Sequence, residues 1–320
     1  MTTSTTTTVS VLQKNFKAAL EDLRGVVPKR PTLPCLSGVL LRSADGRLML
    51  TGTDLEVWVN KWVGAKVEGD GDSGLSFVAP FAHLLQIVGE LPDERLDLHK
   101  EGDNLVILWP GGQLTLEPVA PYQDYPPEPL VESEKLGPAV TLDLPIETVR
   151  ALVRQVIPCC GTDPGRPTLQ ALAISDHNGL LEAVGADGFR LGVLPLPAWD
   201  GPPVKPLSVL TNTRLWYLAL KYADKSTRTV AVALGQRVSR IDVGGHTTVL
   251  TQNTQGTYPN YRQLIPAGFV NSATVVRRDL LAAVKRANTV ARDASGAVRL
   301  IADVDCLTVL ARAEGVGEIR

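Results

Sequence analysis

The sequence is poor in the residues from which metal and nucleophilic sites are built. Its four cysteines (Cys35, Cys159, Cys160 and Cys306) form no CxxC pair and no metal-ligand spacing. They read instead as buried, reduced thiols of a cytosolic protein. The four histidines (His83, His99, His177 and His246) are scattered, with no triad-like or metal-binding cluster. No apolar run approaches the roughly 18 residues needed to span a bilayer. Met1 to Thr8 is almost all threonine, without a basic start or an apolar centre. That excludes a secretion signal and reads as a disordered tail. Neither charge sign is in excess. The net charge is −2, which excludes a protein that grips nucleic acid with its whole surface. It does not exclude basic residues gathered on one face.

What is present is ordinary in amount and repeated in arrangement. A chain of 320 residues, 44% hydrophobic and 21% charged, has the composition of two or three globular domains. An amphipathic helix, a hairpin and a short acidic loop recur three times. Phe16, Ala19, Leu20 and Leu23 mark the first helix. Val149, Leu152, Val153 and Val156 mark the second, and Leu280, Ala283, Val284 and Ala287 the third. Each set has the i, i+3, i+4, i+7 spacing of a helix that buries one face. The offsets are 149−16 = 133 and 280−149 = 131. A separate landmark agrees, because Gly52-Thr53-Asp54 recurs as Gly185-Ala186-Asp187, again 133 residues on. Two landmarks sharing one offset indicate repeated domains.

In the first repeat, Leu36 to Leu41 reads as a strand, Ala44-Asp45-Gly46 as a tight turn and Arg47 to Leu50 as the return strand. Leu55 to Val63 alternates as the next strand, and Glu68 to Gly74 is a polar turn. Pro80 opens a second helix carrying Phe81, Leu84, Leu85 and Val88, which Leu91-Pro92 ends. Three strands follow around Leu96, Val106 and Leu116. The segment Pro118 to Pro138, with six prolines, is a linker or extended excursion. The second repeat has a helix at Pro145 to Val156 and a strand at Leu169 to Ser175. His177-Asn178-Gly179 turns it into a return strand from Leu180. Thr211-Asn212-Thr213 caps a helix that turns Leu215, Leu218, Ala219 and Tyr222 inward, before strands at Val230 to Leu234, Val238 to Val243 and Thr247 to Thr251. The third begins at Thr274, with a helix, a strand at Val298 to Ala302, a turn at Asp303 to Asp305 and a strand from Leu307, and nothing after that. The expected fold is α+β, with each full domain placing two helices on antiparallel sheet. The expected domains are 9–126, 139–266 and 271–320, the last incomplete.

The outward helix faces are basic. Lys14, Lys17 and Arg24 lie on the first helix, with Lys29 and Arg30 in the loop beyond. Arg150 and Arg154 are one turn apart on the second. Arg214, Lys221 and Lys225 share a face of the helix from Thr213, and Arg278 and Lys285 lie on the third. The helix from Pro80 is the exception, with only His83 and Glu90. A charged stripe on one helix is ordinarily a solvated face. Four such helices in a chain of negative net charge put the acids elsewhere, and helices facing one way form a positive lining that attracts phosphate without reading bases.

Four ordered motifs carry a family resemblance: Arg30-Pro31-Thr32-Leu33-Pro34, Leu50-Thr51-Gly52-Thr53-Asp54-Leu55-Glu56, Gly185-Ala186-Asp187-Gly188-Phe189-Arg190-Leu191, and Tyr258-Pro259-Asn260-Tyr261-Arg262 closed by Ile265-Pro266. Over about residues 9 to 320 the chain resembles the bacterial sliding clamp, the β subunit of DNA polymerase III. The resemblance implies three like domains per chain and two chains joined head to tail in a ring around duplex DNA, with helices inside and sheets at the rim. It implies a cytoplasmic processivity factor in DNA replication, with no catalytic activity, no metal and no cofactor. Its partners would be duplex DNA, bound without sequence preference, the replicative polymerase, a clamp loader and a second copy, with no membrane. Arg30 matches a DNA-facing arginine. A weakly basic bore without an aromatic stacking platform suits sliding. The family's peptide groove, which takes Leu- and Phe-rich segments, maps to Leu169, Gly188, Phe189, Arg190, Leu191, Pro259, Gln263 and Leu264. This chain departs from the family at Ala186 (usually Thr), Phe189 (usually His) and Gln263 (often basic), which bears on peptide preference.

By family length about 50 further residues would complete the third domain. Their absence motivates a second reading, a ring-less, clamp-derived peptide-binding adaptor that does not encircle DNA. A third reading, an enzyme with Asp54, Asp187, Asp303 and Asp305 as metal ligands and Gly185 to Gly192 as a phosphate loop, has no His or Cys partners and lacks the GxxxxGK[ST] order.

Overall fold

The computed structural model describes residues 7–69, 74–132, 139–177, 179–197 and 208–320. They fall into two compact units, Met1–Pro259 and Asn260–Arg320.

The first unit holds two copies of one element order. The first copy runs β1 (Thr8–Leu12), α1 (Gln13–Leu23), β2 (Gly38–Ala44), β3 (Arg47–Thr53), β4 (Val57–Gly64), β5 (Lys66–Glu68), β6 (Ser76–Pro80), α2 (Phe81–Glu90), β7 (Arg95–Glu101), β8 (Asn104–Trp109) and β9 (Gly112–Leu116). The second runs β10 (Val140–Pro145), α3 (Ile146–Ala151), a short α4 (Pro167–Gln170), β11 (Leu172–His177), β12 (Leu180–Ala186), β13 (Leu191–Pro195), β14 (Ser208–Thr211), α5 (Thr213–Tyr222), β15 (Thr229–Leu234), β16 (Val238–Val243) and β17 (Thr247–Gln252). Every strand pairing is antiparallel.

The helices form where the apolar spacing requires. Phe16, Leu20 and Leu23 of α1, Leu84 and Val88 of α2, and Leu215 and Ala219 of α5 are fully buried in one continuous core. Each large side chain among them contributes roughly 1.5–3 kcal/mol. Asn212 caps α5 by accepting from the Arg214 N–H at 3.0 Å. The two-residue turn Asp45-Gly46 has φ of 50° and 67°, the primed geometry that suits a tight hairpin.

The structure corrects several sequence expectations. The first two repeats open with a strand rather than a helix, and Thr8, expected in the tail, begins β1. Residues 1–6 lie outside the described residues. Leu36 and Ser37 belong to a 3-10 turn, Pro34–Ser37, because Pro34 starts a turn better than a strand. Leu169 sits in α4 for the same reason, behind Pro167. The second helix changes pitch after Ala151, with a π segment Leu152–Val156 and a 3-10 turn Ile157–Cys159 holding Pro158. The described part of the proline-rich segment is packed down, not free. Tyr125 is buried, and its hydroxyl donates to the Thr51 carbonyl at 3.0 Å. Residues 133–138 of that segment, 70–73 of the Glu68–Gly74 turn and Asn178 of the hairpin turn lie outside the described residues. Cys35 and Cys160 are buried as expected, but Cys159 is half-buried and Cys306 exposed.

Four strands of one copy and four of the other make one eight-stranded sheet, ordered β10-β15-β16-β17-β4-β3-β2-β6. The seam is β17 against β4, in the register Thr247↔Lys61 to Thr251↔Val57. At the seam the Lys61 side chain is only 7% exposed. Its ammonium meets the Asp22 carboxylate at 2.6 Å, donates to Thr247 Oγ1 at 2.8 Å and lies 4.7 Å from the Tyr222 ring centre. One cation thus ties α1, β4, β17 and α5. A charge so deep persists only because it is paired and hydrogen-bonded.

The second unit contains α6 (Arg277–Ala291), β18 (Arg299–Ala302), β19 (Leu307–Ala313) and β20 (Gly317–Ile319). The last strand was not expected from the sequence. Ala287, Ala291 and Ala311 form its small core.

Replacing Lys61 by Ala leaves Asp22 without its partner. Because Asp22 is partly hydrated, the expected loss is about 2 kcal/mol, below the full cost of breaking a buried pair. Urea unfolding measures it, and an unchanged midpoint contradicts the role given to Lys61.

Candidate functional site

The acidic loops are the recurring local structure. Asp54 follows β3, and its Oδ1 accepts from the N–H groups of Glu56 at 3.1 Å and Val57 at 2.9 Å. Asp187 follows β12 and repeats this, accepting from Phe189 at 2.9 Å and Arg190 at 3.0 Å. The next residue is left-handed each time, with φ of 76° at Leu55 and 94° at Gly188. In the second unit the matching loop follows β19 at Glu314-Gly315, where φ is 78°. Asp303 and Asp305, grouped with the acidic loops by sequence, lie instead in the turn between β18 and β19. Gly188 removes a strain that Leu55 retains, about 1–2 kcal/mol.

The Asp187 loop forms one wall of a cavity of about 370 Å³ in the first unit. The expected groove residues Leu169, Phe189 and Arg190 line it. Leu169 is half-buried, while Phe189 stands 99% exposed at the rim. Arg190 folds back onto Asp187 at 2.8 Å. Leu191 is half-buried at the start of β13, and Pro259 is exposed. Gln263 and Leu264 are exposed residues of the second unit, the latter 73% accessible. The sequence reading missed Cys160, Gly161, Thr162, Asp163 and Arg166, which complete the cavity. A signal was present, since Thr162-Asp163-Pro164-Gly165 is a turn sequence, and Asp163 Oδ1 accepts from the Gly165 N–H at 2.9 Å. Close approach shapes the wall too. A side chain at Gly185 would come within 2.6 Å of the Val156 carbonyl and 2.9 Å of Cys160 Sγ.

These contacts set the local ionisation. The Phe189 N–H, then the Arg190 side chain and N–H, hold the Asp187 carboxyl down from the ordinary 3.8 to about 2. Burial, then the neighbouring Cys159 and Asp187, pushes the Cys160 thiol up to about 12, so it is an inert packing group.

Of the candidate DNA-facing residues, Lys14, Arg24, Lys29, Arg30 and Arg154 are exposed. Lys17 is half-buried and donates to the Gly89 carbonyl at 3.2 Å. Lys17, Arg24 and Lys29 line a groove of about 530 Å³ between α1 and α2. Arg150 pairs with Glu147 at 3.2 Å. Two residues have a different task. Arg214 reaches across the seam to Asp54 at 2.7 Å, and Lys221 donates to the Asp22 carbonyl at 3.0 Å. Sequence periodicity places them on the basic face but cannot see that the neighbouring repeat lies within reach. In the second unit Arg278 is exposed and paired with Asp279 at 3.2 Å, and Lys285 is exposed. Among the described residues no group of three His, Cys, Asp or Glu side chains could hold a metal ion, and no helix is long and apolar enough to cross a membrane.

Repeated units of two helices on antiparallel sheet, joined edge to edge, define a protein of the DNA-clamp fold. Solved structures of the same fold include the DNA polymerase III β subunit of Thermotoga maritima (TM-score 0.78, 24% identity) and the β subunit of Streptococcus pyogenes (TM-score 0.85, 17% identity), each matched over 98% of this chain and 82% of the other. The family model for the DNA polymerase III beta subunit, N-terminal domain, matches residues 7–129. The beta sliding clamp of Synechococcus elongatus is 28% identical over 91% of this chain and 76% of its own length. That of Caulobacter vibrioides is 26% identical over 94% and 79%. Residues 7–129 match the DNA polymerase III beta-subunit N-terminal family, and the chain is similar to beta sliding clamps over more than nine-tenths of its length.

Because its folded pKa is depressed, Asp187 stabilises the loop fully above the ordinary carboxylate range, and this is lost as pH falls through about 2. A carboxyl NMR titration is expected to give a midpoint near that value. A midpoint at the ordinary 3.8 contradicts the loop geometry. Gly188→Ala is expected to cost about 1 kcal/mol through the left-handed backbone, and an unaltered unfolding midpoint counts against it.

Proposed function

We infer that the chain is a replication processivity factor, a clamp that encircles duplex DNA and tethers polymerase and other replication proteins through a peptide groove. One observation carries the reading. The β4 edge of one repeat is covered by β17 of the next, while β9, which holds the same place in its own sheet as β17, is an open edge. The sheet orders β1-β7-β8-β9 and β10-β15-β16-β17 correspond strand for strand. An open β9 therefore calls for the counterpart of β4, which is β20 of a second copy. Repetition of the covered junction generates a head-to-tail dimer and a closed ring.

Within that ring, Lys14, Lys17, Arg24, Lys29, Arg30, Arg154, Arg278 and Lys285 supply the positive lining, with Arg150 weakened by Glu147. Such a lining holds phosphate without reading sequence, as sliding requires. Leu169, Gly188, Phe189, Arg190, Leu191, Pro259, Gln263 and Leu264 receive the partner's Leu- and Phe-rich peptide. The related Pseudomonas aeruginosa clamp was solved bound to griselimycin. The protein works in the cytoplasm without catalysis, cofactor or membrane, and a clamp loader places it on DNA. A ring-less adaptor has no observation in its favour, since it leaves the β9 edge unexplained.

The test is retention on a nicked circular plasmid in a sizing column after loading. The expected result is retention that weakens with salt and disappears when the plasmid is linearised. Retention surviving linearisation contradicts encirclement. For the groove, Leu169→Ala is expected to weaken a fluorescent Leu-Phe peptide about tenfold in anisotropy titrations, the worth of part of one buried side chain. Unchanged affinity removes Leu169 from the site.

A further inference from the structure

The two repeats differ on the sheet face turned away from their helices. Strands β1 and β7 correspond to β10 and β15 through their register. Ser10 pairs with Asp97 and Leu12 with Arg95, as Asp143 pairs with Ala231 and Pro145 with Thr229. Buried Leu96 and Leu98 then fall on buried Val230 and Val232, in agreement with the alignment. In the first repeat this face is closed on itself. Arg95 donates to Asp97 at 2.7 Å and to the Ser10 hydroxyl at 2.8 Å, and that hydroxyl donates to Asp97 at 2.6 Å. In the second repeat Thr229, Ala231 and Ala233 stand where Arg95, Asp97 and His99 stand, and Asp143 replaces Ser10. The face is hollowed. It keeps a carboxylate and has lost the cation that satisfied it.

The result is a cavity of about 1000 Å³ beside β15. Ala231, Ala233 and Leu250 line it from the sheet, and Glu128, Leu130 and Glu132 from the proline-rich segment. Leu130 is 66% exposed. Arg240, the one cation among the described lining residues, is paired with Asp242 at 2.9 Å. Among the described residues Glu128, Glu132 and Asp143 have no cation partner. A compact cation would leave Leu130 and Leu250 uncovered, and a purely apolar chain would desolvate carboxylates without pairing them. We propose that this furrow docks an extended segment of a partner protein in which Lys or Arg alternates with Leu, Ile or Val. An extended segment turns successive side chains to opposite sides, so one set meets the carboxylates and the other Leu130, Leu250 and the alanines. A basic side chain beside Asp143 supplies the cation that Arg95 supplies in the first repeat. The furrow shares no lining residue with the Asp187 cavity, and its occupation requires neither the ring nor the peptide groove.

Anisotropy titration of the full chain with a fluorescent Lys-Leu-Lys-Val-Lys-Leu peptide at low ionic strength tests this. D143K is expected to weaken binding about fivefold, an effect that salt erases. A231W fills the furrow from an exposed position and is expected to weaken binding about tenfold at any salt concentration. T229R gives β15 the cation that β7 has, leaves the cavity open and is expected to weaken binding about threefold, which keeps the test standing if A231W fails to fold. The same peptide with Glu for Lys is expected not to bind, and excess Leu-Phe groove peptide is expected not to displace the basic one. A parent chain that does not bind, a folded A231W that binds like the parent, or a T229R that does so overturns the furrow as the site. Displacement by the groove peptide, or equal binding of the acidic peptide, overturns it as well.

Discussion

The pairing of β17 with β4 is the contact on which the first unit depends. It is an ordinary antiparallel ladder, but it joins two repeats that would otherwise each present an open edge. Backbone pairing alone fixes neither the angle nor the choice of partner. Those come from side chains around it. Lys61 is buried at the seam and can be satisfied only if Asp22, Thr247 and Tyr222 converge on it from three other elements. The pair is a specificity device more than a source of stability, since a desolvated charge repays little unless every partner is in place. Beside it, Trp58, Val238 and Leu250 form a small apolar cluster across the same boundary.

In the proposed reading, the assembly follows from this junction by repetition: each copy of the fold has one edge that receives and one that is received, and a chain of such units closes when the last receives the first. The rest of the chemistry can then be weak. On that reading DNA is held by topology without base contacts, and near-neutral net charge with the proposed lining of lysines and arginines would suffice. The proposed partner recognition uses a different feature, the acidic loop that follows the third strand of each full repeat. Its carboxylate gathers two N–H groups and turns the chain outward, placing Phe189 at a cavity rim in one repeat and giving Arg214 a target in the other.

Much of this was legible in the sequence. The helix periodicity identified Phe16, Leu20, Leu23, Leu84, Val88, Leu215 and Ala219 as buried, and all of them are. The Ala44-Asp45-Gly46 turn and strands β15, β16 and β17 were equally clear, because turn residues and alternation are local signals. Three things were not. The opening strands β1 and β10 are short and depend on partners more than 80 residues away, as in Val9↔Leu98. The π segment at Leu152–Val156 arises from packing against β12 and β13, which propensity cannot register. The roles of Arg214 and Lys221 are properties of the junction and not of their helix. Of the residues lining the cavity, Leu169, Phe189 and Arg190 were expected from the family resemblance. Asp163 and Arg166 were missed because their relevance is spatial, across a loop from Asp187.

The central claim is that β9 is an edge awaiting the strand that β17 already has. Residue-resolved hydrogen exchange across a dilution series measures this directly. The outward amides of Gly112–Leu116 are expected to exchange quickly when the chain is dilute and to gain protection at concentrations where it dimerises, while those of β17 stay protected throughout. Dimerisation that leaves the β9 amides fully exchangeable would contradict edge pairing as the means of closure.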